Sequence, residues 1–331
     1  MEGVPAAMTA DVSIVYATGR AEPAFEWLAD SLARQLGDGD DVEVIVVDRL
    51  HDKARGKRFR AAAAGRFKLV HVPPKPTPWQ GPHRLTRADW FAASSARNSG
   101  LVHATAPYVA FVDDCAVVMP GWWDTVARGA HGGAVLAGAY QYRSAMVVRE
   151  GVLVEGRLDA KGLDARWSRG DDARPVPIGG GELYGSSFAA PRDLLLAVNG
   201  LDELCDGLGQ EDVQLGLRLE AAGAKIAYAR AMLTIESEEL NHAGAALERH
   251  DRWLPAPRYS ERLAEFGVHE RRTAGRTDAS HMMLDIVLGT GSWATHGNYY
   301  WLADLTPACY PALVERFPTR HWFDGCPLSE L

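Results

Sequence analysis

The sequence predicts an α/β fold, a mixed and mostly parallel sheet flanked by helices, with a C-terminal extension. Three observations predict it. A strand, a helix and a second strand follow one another within roughly 35 residues from Val12 to Val47, a βαβ unit that implies parallel pairing. The run Tyr108-Val109-Ala110-Phe111-Val112 has the β-branched and aromatic composition of a buried strand, and it ends in two adjacent carboxylates, Asp113 and Asp114. Beyond about Ser237 the alternation weakens, and the chain becomes rich in Trp, Tyr, His and Pro. That stretch reads as an appendage, so the expected division is a main domain over residues 1–236 and an extension over 237–331.

Composition bounds the rest. Of the 331 residues 47% are hydrophobic and 24% charged, which is ordinary globular usage with ample apolar material for a core. The net charge of −8 argues against a molecule that binds polyanions as a whole. Four cysteines, Cys115, Cys205, Cys309 and Cys326, lie far apart and match no CxxC or zinc spacing, so free thiols in a reducing compartment are expected. No apolar run is long enough to span a membrane. The segment MEGVPAAMTADVS lacks a basic region followed by an apolar one, so no signal peptide is expected and the location is read as cytoplasmic.

Taken in order, Val12 to Tyr16 is a short apolar strand and Ala17-Thr18-Gly19-Arg20 a turn. Glu22-Pro23 opens a helix, because proline is tolerated in a first turn. Phe25, Leu28, Leu32 and Leu36 give it an apolar stripe, and Gly37 ends it. Val42 to Val47 is the second strand, closed by Asp48. No GxGxxG follows the first strand, which argues against a dinucleotide fold. Arg49 to Lys68 holds eight Lys/Arg against one Asp, Asp52. Such a run reads first as a solvated loop or helix, and second as an anion-contacting flap. Pro73, Pro74, Pro76 and Pro78 make a stiff connection. Thr86, with Asp89 at the N3 position, caps a helix that carries Trp90, Phe91, Ala96, Arg97 and Asn98.

After the Tyr108 strand, Pro120 to Ala130 reads as a short helix and Ala134 to Ala139 as a strand. Met146 to Val154 looks like a hairpin turning at Gly151. Asp159 to Pro177 is polar and reads as a mobile stretch. Gly179-Gly180-Gly181 precedes an expected strand over Glu182 to Phe188. A helix from Pro191 stops at Asn199-Gly200, another runs from Glu211 to Gly223, and Lys225 to Ala229 is the last strand.

The chemistry-bearing residues collect at strand ends and a helix start. Asp113 and Asp114 end a strand, and in an open α/β sheet that edge binds ligands. Adjacent carboxylates repel unless a cation lies between them. A divalent metal carrying a diphosphate is the natural candidate, although an Asp-rich turn would give the same letters. Glu211 and Asp212 lie at a helix start, where the dipole favours ionised acids. Trp122, Trp123, Trp293, Tyr299, Tyr300 and Trp301 could stack on a sugar or base, but core packing explains most such residues.

Over roughly residues 12 to 242 the chain resembles family-2-type glycosyltransferases of the GT-A, Rossmann-like fold, with a galactosyltransferase-like acceptor motif. VSIVYATGR resembles the first strand and loop that hold the nucleotide, which brings in Thr18 and Arg20. VEVIVVDRL resembles the second strand, whose terminal acid, here Asp48, contacts the base or ribose. SSARNSGLVHATAPYVAFVDD resembles the helix with an Ala-Arg-Asn element, here with Arg97, followed by the metal-binding strand. The usual Asp-x-Asp is here Asp113-Asp114-Cys115. The resemblance implies Asp113 toward ribose and Asp114 on Mn²⁺ or Mg²⁺, with His242 as a second metal ligand. LGQEDVQLGLRLEAAGAKIAY resembles the acceptor-side motif, which implies Asp212 as catalytic base and Glu211 as binder of the acceptor hydroxyl. Gly209-Gln210 departs from the relatives' Gly-Gly or Trp, which puts the acceptor in doubt.

The expected activity is a metal-dependent, inverting transfer of a sugar from a nucleoside-diphosphate sugar, UDP-sugar favoured, to a saccharide or other hydroxyl compound. A narrower reading, motivated by Arg49 to Lys68, has a hydroxymethylated base in DNA as acceptor. A nucleotidyltransferase would want a Gly-rich phosphate loop near the first strand, which is absent. A nucleotide-sugar-binding protein without catalysis is the non-enzyme reading, motivated by Cys115.

Overall fold

The computed structural model describes residues 11–77, 91–203, 206, 211–240, 298 and 301–316. The runs read as strands from their apolar content form the centre of one sheet. β1 (Val12–Thr18) pairs in parallel with β2 (Val42–Asp48) and with β4 (Tyr108–Asp113), and β3 (Lys68–Val72) adds outside β2. β5 (Ala116–Val118), β6 (Val135–Arg149), β7 (Val152–Leu163), β8 (Val176–Ile178), β9 (Ser187–Pro191) and β10 (Ile226–Ser237) complete it. The strand order is β3-β2-β1-β4-β9-β6-β10-β5, with β7 on β6 and β8 on β10. β9 is antiparallel to both β4 and β6, and β10 is parallel to β6. The strands β1, β2, β3, β4, β6 and β10 therefore all run the same way, and their C-terminal ends share one edge.

Both faces of the sheet are covered, which is why the strands read as continuous apolar runs rather than alternating ones. On one face Ile14, Tyr16, Val44, Val46 and Ala110 pack with Phe25 and Leu28 of α1 (Phe25–Ala33), Phe59 of α2 (Lys53–Ala63) and Trp122 of α4 (Trp122–Gly132). On the other, Val15, Ile45, Val47 and Phe111 pack with Ala96 and Leu101 of α3 (Ala93–His103), Leu195 of α5 (Arg192–Ala197) and Leu215 and Leu219 of α6 (Glu211–Ala221). Leu302, from the expected extension, is buried in this second cluster.

Several elements differ from the sequence reading, each for a local reason. α1 ends at Ala33, where Gln35 and Leu36 both donate backbone N–H to the Leu32 carbonyl, four residues before Gly37. The basic run is mostly helix, because Asp52 caps α2 by accepting from Arg55 N at 2.7 Å. Four of its eight cations pair with acids: Arg55 with Asp48, Arg58 with Glu22, Arg66 with Asp30 and Lys68 with Glu43. The stretch 159–177 is not merely polar, since Arg166 is buried in it on Asp164. Glu182 closes a 3₁₀ turn, and the strand begins only at Ser187. α3 begins at Ala93, so Phe91 precedes it, and Thr86, Asp89 and Trp90 lie outside the described residues.

Candidate active site

The shared edge carries a cavity of about 270 Å³ lined by Arg97, Asp113, Tyr140, Tyr142, Tyr184, Gly185, Ser186, Glu211 and Asp212. This is near the lower end of the roughly 300–1,000 Å³ of small-molecule sites, the scale of one sugar ring. Four elements supply it: α3, the end of β4, the inner part of β6, and the start of α6 with the loop before β9.

Arg97 organises the acids. It stands on α3, whose residues from Ser94 to Leu101 are all buried. Its guanidinium donates to Asp113 Oδ1 at 2.5 Å and to Glu211 Oε1 at 2.9 Å, joining a strand end to a helix start. Burial opposes its charge, but Asp113, Glu211 and Asp212 outweigh that and raise its pKa, so it stays cationic. Asp212 accepts from Gly185 N at 2.7 Å and from Val213 N at 2.7 Å. Burial and the neighbouring Glu211 charge push its carboxyl up to about 6, against the pull of Arg97 and the two backbone donors. It is thus ionised at neutral pH yet basic enough to take a proton.

Backbone contact fixes the start of α6. Gly216 packs against Gly180, where a methyl group would lie 2.0 Å from the Gly180 carbonyl oxygen. Of the three glycines 179–181, Gly180 is the one that close helix packing requires. The 199–206 stretch that leads into α6 is anchored by buried polar groups. Asn98 Nδ2 donates to the Leu201 carbonyl and Glu203, and Lys75 pairs with Glu203. Asp206 accepts from the backbone N–H of Ser94 and Ser95 at the start of α3. Asn298 donates to the carbonyls of Asn199 and Leu201 and accepts from Glu203 N.

The tyrosines were not singled out from sequence. Tyr140 and Tyr142 lie two apart on β6 and so share a sheet face, a period-2 signal available in the letters. Tyr184 meets Tyr140 edge-on at 6.0 Å between ring centres. The Arg166 guanidinium lies 4.3 Å from the Tyr184 ring centre and is itself fixed by Asp164 and the Gly138 and Glu182 carbonyls. By contrast Trp122 and Trp123 are core residues, and Trp301 is exposed. Trp293, Tyr299 and Tyr300 lie outside the described residues.

A second group sits beside the cavity rather than in it. Asp114 follows the end of β4 in a turn, and its contacts differ from those of Asp113. Asp114 accepts from Thr18 Oγ1 at 2.6 Å through Oδ2 and from Arg20 Nε at 3.0 Å through Oδ1. Burial pushes its carboxyl pKa up despite Arg20. Arg20 also donates to the Leu240 carbonyl at 2.7 Å. The two adjacent carboxylates thus have separate cations, Arg97 on Asp113 and Arg20 on Asp114. Cys115 follows in a left-handed conformation, φ 58°, fully buried, and burial pushes its thiol up.

Asp48 reaches the same edge but is sealed within it. Its oxygens accept from Leu50 N at 2.9 Å and from Arg55 at 2.7 and 3.1 Å, with His71 Nε2 at 3.0 Å. Arg55 in turn donates to the Arg20 and Ala21 carbonyls, so Asp48 fixes the loop after β1. A direct contact from Asp48 to a nucleoside would require Arg55 or His71 to let go.

The fit to a resident metal is poor among the described residues. Asp114 offers the hard oxygens that Mg²⁺ or Mn²⁺ prefers, but Thr18 and Arg20 occupy both. No group of three or more His, Cys, Asp or Glu among the described residues is arranged to hold a metal, and His242 lies outside them. No described helix is long and apolar enough to cross a membrane.

No family model matches the chain, and no curated protein matches it. Solved structures resemble it weakly. Staphylococcus aureus TarS has a TM-score of 0.46 and 16% identity over 80% of this chain and 44% of TarS. TarS residues 1–349 in complex with UDP gives 0.47 and 15% over 78% of this chain and 71% of that one. GalNAc-T7 with UDP, GalNAc and Mn²⁺ gives 0.47 and 12% over 70% and 44%. The chain therefore spans less than half the length of the TarS and GalNAc-T7 chains of the first and third comparisons.

Proposed function

We propose that the chain is an inverting glycosyltransferase that moves a sugar from a nucleoside-diphosphate sugar, UDP-sugar favoured, to an acceptor hydroxyl. One observation carries this reading: Asp113 from a strand end and Glu211 and Asp212 from a helix start face one sugar-sized cavity, tied together by Arg97. Ligands of open α/β sheets bind outside such strand ends.

In this reading Glu211 accepts a hydrogen bond from the acceptor and orients it. Asp212 takes the proton of the reacting hydroxyl as its oxygen attacks the anomeric carbon. The bond from that carbon to the diphosphate oxygen breaks on the opposite side, so configuration inverts. Asp113 faces the donor ribose, and Thr18, Arg20 and Asp48 belong to the nucleotide side. Arg20, its side chain exposed by about a quarter beside Asp114, would offer a cation to the leaving diphosphate. A divalent ion on Asp114 and His242 would supply further charge for the leaving diphosphate, and it would require Arg20 to leave Asp114.

The test is release of nucleoside diphosphate from a panel of UDP-, GDP- and dTDP-sugars with mixed glycoside acceptors, with Mn²⁺ or with chelator. Acceptor-dependent release supports the reading. Binding of a nucleotide sugar with no turnover under any condition would favour the binding protein instead. Loss of release in chelator would support the metal expectation, and unchanged release would remove it.

A further inference from the structure

We infer that the ring received beside Glu211 and Asp212 is an uncharged or amine-bearing pyranose, and that acidic sugars are rejected. The inference rests on the glycosyltransferase reading of this site and narrows its acceptor class. Two independent features carry it.

The first is charge. The cavity is lined by three carboxylates, Asp113, Glu211 and Asp212, against one guanidinium, Arg97. That guanidinium already pairs with Asp113 and Glu211, so its charge is offset by the lining acids before a ligand carboxylate arrives. Behind the lining, Asp164 and Arg166 cancel as a buried pair. Glu236, buried across from Tyr142 on β10, adds a further negative charge that pushes the Tyr142 hydroxyl pKa up. An incoming carboxylate therefore meets like charge in a poorly solvated space, where repulsion is strong. An ammonium meets attraction.

The second is the wall. Tyr140, Tyr142 and Tyr184 line one cavity as half-buried rings; burial raises the Tyr140 hydroxyl pKa, and Glu236 with burial raises that of Tyr142. Ring faces suit the apolar C–H face of a pyranose, while phenol O–H groups serve its hydroxyls. Arg166 holds Tyr184 in place before any ligand arrives.

The experiment measures binding, so it does not depend on turnover. Methyl glucoside, methyl glucosaminide and methyl glucuronide are titrated into the full chain held with excess UDP, with affinity read by calorimetry or ligand-observed NMR. The expected order places glucosaminide at or above glucoside, and glucuronide at least about tenfold weaker, since like charges at a contact cost several-fold or more. Tyr184→Ala should weaken methyl glucoside by roughly three- to tenfold, the worth of one aromatic contact. Glu211→Gln should narrow the gap between glucuronide and glucoside. Glucuronide binding as tightly as glucoside, or Tyr184→Ala leaving glucoside binding unchanged in a folded variant, would overturn the inference. UDP failing to bind at all would instead count against the nucleotide-sugar reading, and the three glycosides would still rank the cavity's charge preference.

Discussion

Arg97 and Asp212 act as one electrostatic unit whose parts can be separated. Arg97→Met keeps most of the volume but leaves Asp113 and Glu211 facing each other without their cation. Removing one partner of a buried ion pair costs about 3 kcal/mol or more, so the melting temperature should fall clearly and turnover with it. A differential scan against wild type checks the first, and a rate assay the second. Asp212 makes a sharper prediction. Its carboxyl is raised to about 6, so the rate should fall below pH 6 as the base is protonated. Asp212→Asn should lose that limb and cut turnover by about 10²- to 10⁴-fold with donor affinity nearly unchanged. Stability should respond the other way. A carboxyl whose folded pKa is raised is most stabilising below its unfolded pKa, and that contribution is lost as pH rises through about 6. The ionised Asp212 therefore costs on the order of 2–3 kcal/mol at pH 8, and Asp212→Asn should gain melting temperature relative to wild type at pH 8 but not at pH 4. A relative gain that is equal at both pH values would contradict the burial argument.

At the scale of elements, the position of α6 sets the geometry. Gly216→Ala drives a methyl into the Gly180 carbonyl, an overpacking worth about 1–3 kcal/mol, and it should shift Glu211 and Asp212 with the helix. Gly132→Ala in α4 meets nothing within 4 Å and serves as the control, neutral or slightly stabilising. Melting temperature and turnover of both variants check this; a fully active, undiminished Gly216→Ala would sink it. Much of this element map was legible in the letters. The strand ends at Asp48 and Asp113, the start of α6 at Glu211 and the turn at Gly151 all follow from apolar runs meeting acids or glycines, whereas β1 runs on to Thr18, two residues past the expected end at Tyr16. The helical state of the basic run was less legible, because its mean hydropathy is low and its support is a single Asp52 cap with long-range partners. The length of β6 and β10 was also hidden. Their outer halves carry polar residues, and pairing with distant strands keeps them extended. Asp113 and Asp114 could be placed at a ligand edge, but their separate arginines come from positions 16 and 94 residues away, which no local pattern reports.

For the whole molecule, the two-faced core does the aligning. α3 and α6 pack against one face of the sheet, and the Asn298 and Leu302 contacts stitch later chain onto the same face. The net charge of −8 and the pairing of half the Arg49–Lys68 cations leave little for a duplex. Duplex DNA should not shift with this protein at physiological salt, since non-specific binding rests on unpaired cations releasing counterions. A salt-sensitive shift at micromolar protein would reopen the DNA-base acceptor.

The central claim is that Asp212 works as a base across the sugar from the leaving diphosphate. The anomeric configuration of the glycoside product, read by NMR from coupling constants, tests it most directly. From an α-linked nucleotide sugar the arrangement predicts a β-linked product. An α-linked product would contradict it, because retention requires a different placement of the reacting groups.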